Sequence, residues 1–131
     1  MKKVQCDLFK EGQQMYFDIM RLATLEKLWG KPIAQAIGNL GISELLSAFV
    51  IGLGHEYPSY AKKEQTWYAK RIQELIDGGM SLTDITSPVL HAIIGSGILG
   101  KEAYFAIFPD EMTEDDRKDI ELEAEEAEKN E

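Results

Sequence analysis

The sequence is poor in the residues that most site chemistry requires. Its 131 residues include one cysteine, Cys6, and two histidines, His55 and His91. One cysteine excludes an internal disulfide and any multi-cysteine metal cluster, and it fits a reducing compartment. A zinc site takes three or four ligands and would have to be built here mostly from carboxylates, so no metal is expected. No serine or cysteine stands in a pattern that a histidine and an orienting acid would activate. His55 precedes Glu56 at a helix end, where a cation meets the helix dipole favourably. His91 lies among Leu90, Ala92 and Ile93 and reads as a core or interface residue. Gly95-Ser96-Gly97 lacks the GxGxxG or GxxxxGK(S/T) context of a phosphate loop, so close helix packing accounts for it better. Asp110, Asp115, Asp116 and Asp119 lack the alternation, central glycine and closing glutamate of an EF-hand loop. The expectation is a protein with no catalytic residue, cofactor or metal, acting by binding.

Long hydrophobic runs are missing as well. The longest charge-free stretch, Ile85 to Gly100, has 16 residues and contains Pro88, His91 and three glycines. A spanning helix needs about 20 mostly apolar residues. Asp7 and Lys10 interrupt the start, Met1-Lys2-Lys3, before a signal-peptide core of roughly 7 to 15 apolar residues can form. No membrane partner and a cytoplasmic location are expected.

Positive charge is scarce at one end only. Residues 1–109 carry 11 acids and 11 bases, whereas residues 110–131 carry 12 acids against Arg117, Lys118 and Lys129 and hold the whole net charge of −9. A neutral body with a negative appendage should avoid nucleic acid unless it has a local basic patch. The one basic cluster is Lys62, Lys63, Lys70 and Arg71, with Glu64 and Glu74 among them.

What is present is enough apolar material for one core, 44% of the residues. Val4, Cys6 and Leu8 alternate with polar residues, and Met15-Tyr16-Phe17 follows a Lys10-Glu11-Gly12-Gln13 turn, which predicts a short hairpin. Asp18 caps a helix with Leu22, Leu25, Leu28 and Trp29 on one face, ended by Gly30. Pro32 opens a short helix carrying Ile33, Ile37 and Leu40, closed by Gly41. Ser43 caps a helix to Leu53 that is apolar nearly all round. Tyr60 to Asp77 reads as one long helix burying Ala61, Tyr68, Ile72 and Leu75, with Trp67 on its flank beside Tyr60, Lys63, Lys70, Arg71 and Glu74. Ser81 to Asp84 starts a further helical stretch, and Ser87-Pro88 reads as the cap of a separate apolar helix, Val89 to Leu99. Ala103 to Phe108 is too short for period to classify. Thr113 with Asp116 resembles a capping box opening a polar terminal helix to about Lys129, expected to fray in isolation.

The fold class expected is mainly α (α+β): one compact multi-helix domain over residues 1–109 with an N-terminal β-hairpin. An acidic, partly helical or disordered tail follows over 110–131. A body this small has room to enclose about one all-apolar helix, so Val89 to Leu99 is a candidate subunit interface. Tyr60 and Trp67 form an aromatic pair among charges, the composition of a binding hot spot. Packing of that flank on Ala103 to Phe108 within one chain is an equal alternative. The partner-binding residues expected are Tyr60, Trp67, Tyr104 and Phe105.

The order of these segments resembles that of tail assembly chaperones of long, flexible-tailed (siphovirus-type) bacteriophages and their prophages. The resemblance lies in Leu25-Glu26-Lys27-Leu28-Trp29-Gly30-Lys31-Pro32-Ile33, in the apolar helix ending Leu53-Gly54-His55-Glu56, in the Gly78-Gly79 break, and in Ser96-Gly97-Ile98-Leu99-Gly100-Lys101-Glu102. It covers Val4 to about Phe108. It implies a short-form, non-enzymatic chaperone acting in the host bacterial cytoplasm and absent from the finished virion. The implied partners are the tape measure protein, tail tube subunits and further copies of the chain in a ring or spiral, whose head-to-tail contact Val89 to Leu99 and the Tyr60/Trp67 flank would supply. A longer product made by programmed frameshifting is also implied, and Glu128-Lys129-Asn130 can be encoded by the slippery heptamer A AAA AAC. The alternatives are a small phage connector protein, which would be found in virions, and an acidic nucleic-acid mimic, which would lose its function with residues 110–131.

Overall fold

The computed structural model describes residues 2–129, in the order β1 (Val4–Gln5), β2 (Gln14–Met15), α1 (Ile19–Trp29), α2 (Ile33–Ala36), α3 (Ile42–Gly54), α4 (Pro58–Ala61), α5 (Gln65–Asp77), α6 (Leu82–Gly95), α7 (Lys101–Ile107), a 3-10 turn at Pro109–Glu111, and α8 (Glu114–Lys129). The architecture is mainly α with an N-terminal hairpin, as the sequence pattern implies. Asn130, part of the tripeptide a slippery heptamer would encode, lies outside the described residues.

The hairpin pairs Val4 with Met15 and Gln5 with Gln14, antiparallel. Gly12 takes a positive φ of 84° in the turn, which its missing Cβ permits. Cys6, Met15 and Phe17 are fully buried, and their layer lies on α3. At Gly52 a Cβ would stand 2.8 Å from both Met15 Cε and Phe17 Cζ, so glycine there lets the hairpin seat. The same kind of approach occurs at Gly95, where a Cβ would come within 3.0 Å of Lys2 Cβ.

α1 follows its expected signals: Asp18 Oδ1 accepts from Arg21 N at 2.8 Å, and Gly30 closes the helix with φ 70°. Leu22 and Leu25 are buried, but Leu28 is 62% exposed instead of sharing their face. Gly41 rather than Ser43 is the N-cap of α3. Glu44 reaches back to accept from the Gly41 N–H and pairs with Lys31 at 3.0 Å. Those two contacts hold the Glu44 carboxyl below its ordinary pKa, the Gly41 amide being the larger influence. α3 is the central helix, burying Leu45, Ser47, Ala48, Phe49, Gly52 and Leu53 against α1, the hairpin, α4, α5 and α6.

Three helical boundaries differ from expectation. The long helix over Tyr60 to Asp77 is two: Pro58 seeds α4 at its first position, and the chain turns at Lys62–Glu64 before α5 begins. The apolar period runs across this break without registering it. Ala61 packs so closely on α3 that a Cβ on Gly54 would lie 2.7 Å from its own Cβ. Tyr68 and Ile72 are buried as expected, Leu75 is half-buried and Ala61 is outside the stripe. The second difference is Ser87-Pro88, which is no cap, because α6 runs through Pro88 from Ser81, whose hydroxyl accepts from Asp84 N at 3.2 Å. One lost backbone bond is outweighed by the continuous buried face of Ile85, Val89, Ala92 and Ile93. α6 then ends at Gly95 rather than Leu99, and Gly97 turns the chain with φ 86°.

The third difference concerns the two apolar helices. α6 is covered within the chain by α3, α7 and the hairpin, so Val89 to Leu99 does not supply the open interface expected of it. The hairpin and α7 (Ala103 to Phe108 in the main) add the cover that a helix count alone omits. The tail takes its helical alternative as α8. Thr113 Oγ1 accepts from Asp116 N at 3.1 Å, Thr113 N donates to Asp116 Oδ2 at 3.0 Å, and Lys101 bridges Asp116 and Asp119 at 3.3 and 3.0 Å. No residue of α8 is buried.

Candidate interaction surface

The four residues expected at a binding surface separate into two places. Tyr60, on α4, and Trp67, on α5, meet at a ring-centroid distance of 5.6 Å although they belong to different helices. Trp67 also meets Tyr68 at 5.0 Å and Phe9 of the hairpin loop at 5.7 Å. Neither alternative for this flank is met in full. The pair is half-buried, and what covers it is Phe9 rather than Ala103 to Phe108. Lys63 Nζ stands over the Trp67 ring at 4.1 Å and the Tyr60 ring at 5.3 Å, a cation–π placement. Beneath them the Tyr68 hydroxyl donates to the Tyr60 carbonyl at 2.6 Å, and its burial pushes its pKa up.

Tyr104 and Phe105 lie on α7. Phe105 is buried and serves the core instead of a partner. Tyr104 is half-buried against Phe108 at 5.0 Å and donates from its hydroxyl to Glu111 Oε2 at 2.8 Å, tying α7 to the 3-10 turn. His91 faces Phe108 at 6.4 Å, and exposed His55 ends α3 against Tyr16 at 5.9 Å. Cys6 is buried, and desolvation raises its thiol pKa to about 11. No three His, Cys, Asp or Glu side chains among the described residues gather where a metal could sit. None of the described helices is long and apolar enough to cross a membrane.

A groove that the sequence reading did not single out adjoins the aromatic pair. Leu28 of α1, Ser47, Val50 and Ile51 of α3, and the Lys63–Gln65 turn line a mostly apolar cleft of about 360 Å³. One end is fixed by Trp29, whose Nε1–H donates to Ser47 Oγ at 2.8 Å. Two signals pointed there: α3 is apolar on the side away from its buried face, and Leu28 is an apolar residue left over once Leu22 and Leu25 fill the core. Lys63 belongs to both features, holding the aromatic pair on one side and the cleft on the other. A leucine-lined cleft with a lysine at its edge can take an apolar side chain from an amphipathic helix, the helix-in-groove mode of recognition. Compared with known proteins, the chain matches no family model, no curated protein and no solved structure.

Proposed function

We propose that the chain is a non-enzymatic tail assembly chaperone of a phage or prophage, in its short form. In this reading it works in the host cytoplasm, holds apolar helical segments of the tape measure protein, recruits tail tube subunits, and leaves before the virion is complete. The observation that carries the reading is the apolar cleft of Leu28, Val50 and Ile51 beside the Tyr60/Trp67 pair. A binding protein that must release its client is served by a shallow, preformed groove on a rigid helix. The segment pattern from Val4 to about Phe108 resembles the chaperone family and supplies the choice of client.

Co-expression with the tape measure protein of the same gene cluster tests this. The chain should keep the tape measure protein in the soluble fraction and co-purify with it. Leu28→Asp, at an exposed position, should abolish co-purification while the chain keeps its circular dichroism. A tape measure protein equally insoluble with and without the chain would overturn the reading. Recovery of the chain at stoichiometric level in purified virions would replace it with a connector role.

A further inference from the structure

α8 and α5 carry complementary surfaces that one copy of the chain leaves apart. The 16 residues of α8 form a rod roughly 24 Å long. It is held at its base, where Lys101 meets Asp116 and Asp119. Beyond Ile120 every described residue is exposed, and that half carries Glu121, Glu123, Glu125, Glu126 and Glu128 against Lys129. None of these acids forms an ion pair among the described residues. Its one large apolar side chain, Leu122, is 56% exposed and lies in a shallow hollow with Lys118, Glu121 and Glu125.

On α5, Trp67, Lys70, Arg71 and Glu74 recur at helical spacing and line a cleft of about 290 Å³ on one face. Lys62 and Lys63 extend that face past the start of the helix. Arg71 pairs with Glu74 at 3.2 Å, but Lys62, Lys63 and Lys70 have no carboxylate partner among the described residues. The face is the one cationic cluster of an otherwise balanced body, and it has a half-buried indole at its centre.

We propose that the acidic outer half of α8 docks on the Lys63–Trp67–Lys70–Arg71 face of a second copy, with Leu122 against the Trp67 ring and its glutamates among the lysines. The occupant is a second copy because charge complementarity is met within this sequence: five unpaired glutamates on one rod and three unpaired lysines on one face. A chain with a net charge of −9 repels nucleic acid, the other common partner of a basic patch. The contact joins two different surfaces, so it is head-to-tail and propagates into a ring or filament according to the rotation between copies.

The proposal does not depend on the client reading, since the test uses this protein alone and the client cleft is a different surface. Sedimentation velocity of the full chain is measured at ionic strengths of about 0.1 M and about 1 M, where screening lengths are ~10 Å and ~3 Å. Concentration-dependent association is expected, weakened at the higher salt. Glu121→Lys with Glu125→Lys, and separately Lys63→Glu with Lys70→Glu, should each weaken association about tenfold or more, because like charges then face each other across the contact. Mixing these two variants should restore association, since both contacts between unlike chains again pair opposite charges. Restoration also shows that each variant is folded. A chain monomeric at all concentrations overturns the proposal, as does association that neither variant weakens, or a mixture that stays dissociated. A monomer whose lysine face instead retains a single-stranded oligonucleotide overturns it in favour of nucleic acid.

Discussion

α3 and α8 are nearly the same length, 13 and 16 residues, and are held in place by opposite means. α3 buries Leu45, Phe49 and Leu53 completely or almost so, each contributing roughly 1.5–3 kcal/mol by leaving water. α8 buries nothing and stands on a cap and two ion pairs at its first turns. Exposed ion pairs contribute little, so α8 keeps its shape by local hydrogen bonding while α3 keeps its place by tertiary packing. The body is therefore built to be rigid and the appendage to remain available.

The contrast can be broken first at the centre of α3. Phe49 packs edge-on against Phe9 at 5.0 Å, and Phe49→Ala should cost about 3–5 kcal/mol in urea unfolding, the usual range for an emptied core ring. Gly52→Ala is next in size. Its new methyl would collide with Met15 and Phe17, and overpacking of this kind costs about 1–3 kcal/mol. Loss of near-ultraviolet tyrosine and tryptophan signal ahead of helical signal would show the hairpin lifting from α3.

Gln13 gives a change of opposite sign. Its side chain is buried, and neither its amide nitrogen nor its oxygen has a partner among the described residues. Gln13→Met should raise the unfolding free energy by about 1 kcal/mol, because two stranded polar groups are removed at similar volume. A destabilised variant would mean that an ordered water satisfies the amide.

The smallest effect on the body is expected at the base of α8. Thr113→Ala removes the cap hydroxyl, at about 1 kcal/mol to the helix itself. Hydrogen exchange should speed up over residues 114–129 while the melting temperature of the body stays put. Asp116 adds a pH dependence. Its pKa is lowered by the Thr113 amide and hydroxyl first and by Lys101 after them. A depressed carboxyl contributes fully above its unfolded value of 3.8, and that contribution is lost as pH falls through the lower folded value. The Thr113 amide shift in an NMR titration should move with a midpoint below 3.8. A midpoint at or above it would remove the cap from the account.

The parts legible in the sequence are those decided by neighbours along the chain. Asp18 and Gly30 bound α1, Lys10 to Gln13 turns the hairpin, and Thr113 with Asp116 starts α8, because each signal acts within about one helical turn. Signals fail where a distant residue decides. The period from Tyr60 to Asp77 continues through a turn created by close packing of α4 on α3. Pro88 reads as a boundary until the buried face of α6 is counted across it. Of the expected binding residues, Tyr60 and Trp67 do meet. Phe105 is lost to the core, because a short apolar run looks the same whether it faces solvent or α6. The cleft at Leu28, Val50 and Ile51 was missed, since exposure of a leucine depends on which neighbours have already filled the core.

Sequence alone determined the division between a charge-balanced body and an acidic end, the mainly helical class, the hairpin and most caps, because charge sums and local hydrogen bonds need no third dimension. Tertiary structure alone decided that α6 is covered from within, that Phe9 rather than α7 shields Trp67, and that Lys63 stands between an aromatic cluster and an apolar groove. Those outcomes turn on which surfaces compete for the same partner in space. A one-dimensional pattern states how much apolar surface must be hidden, and packing chooses which part is left uncovered.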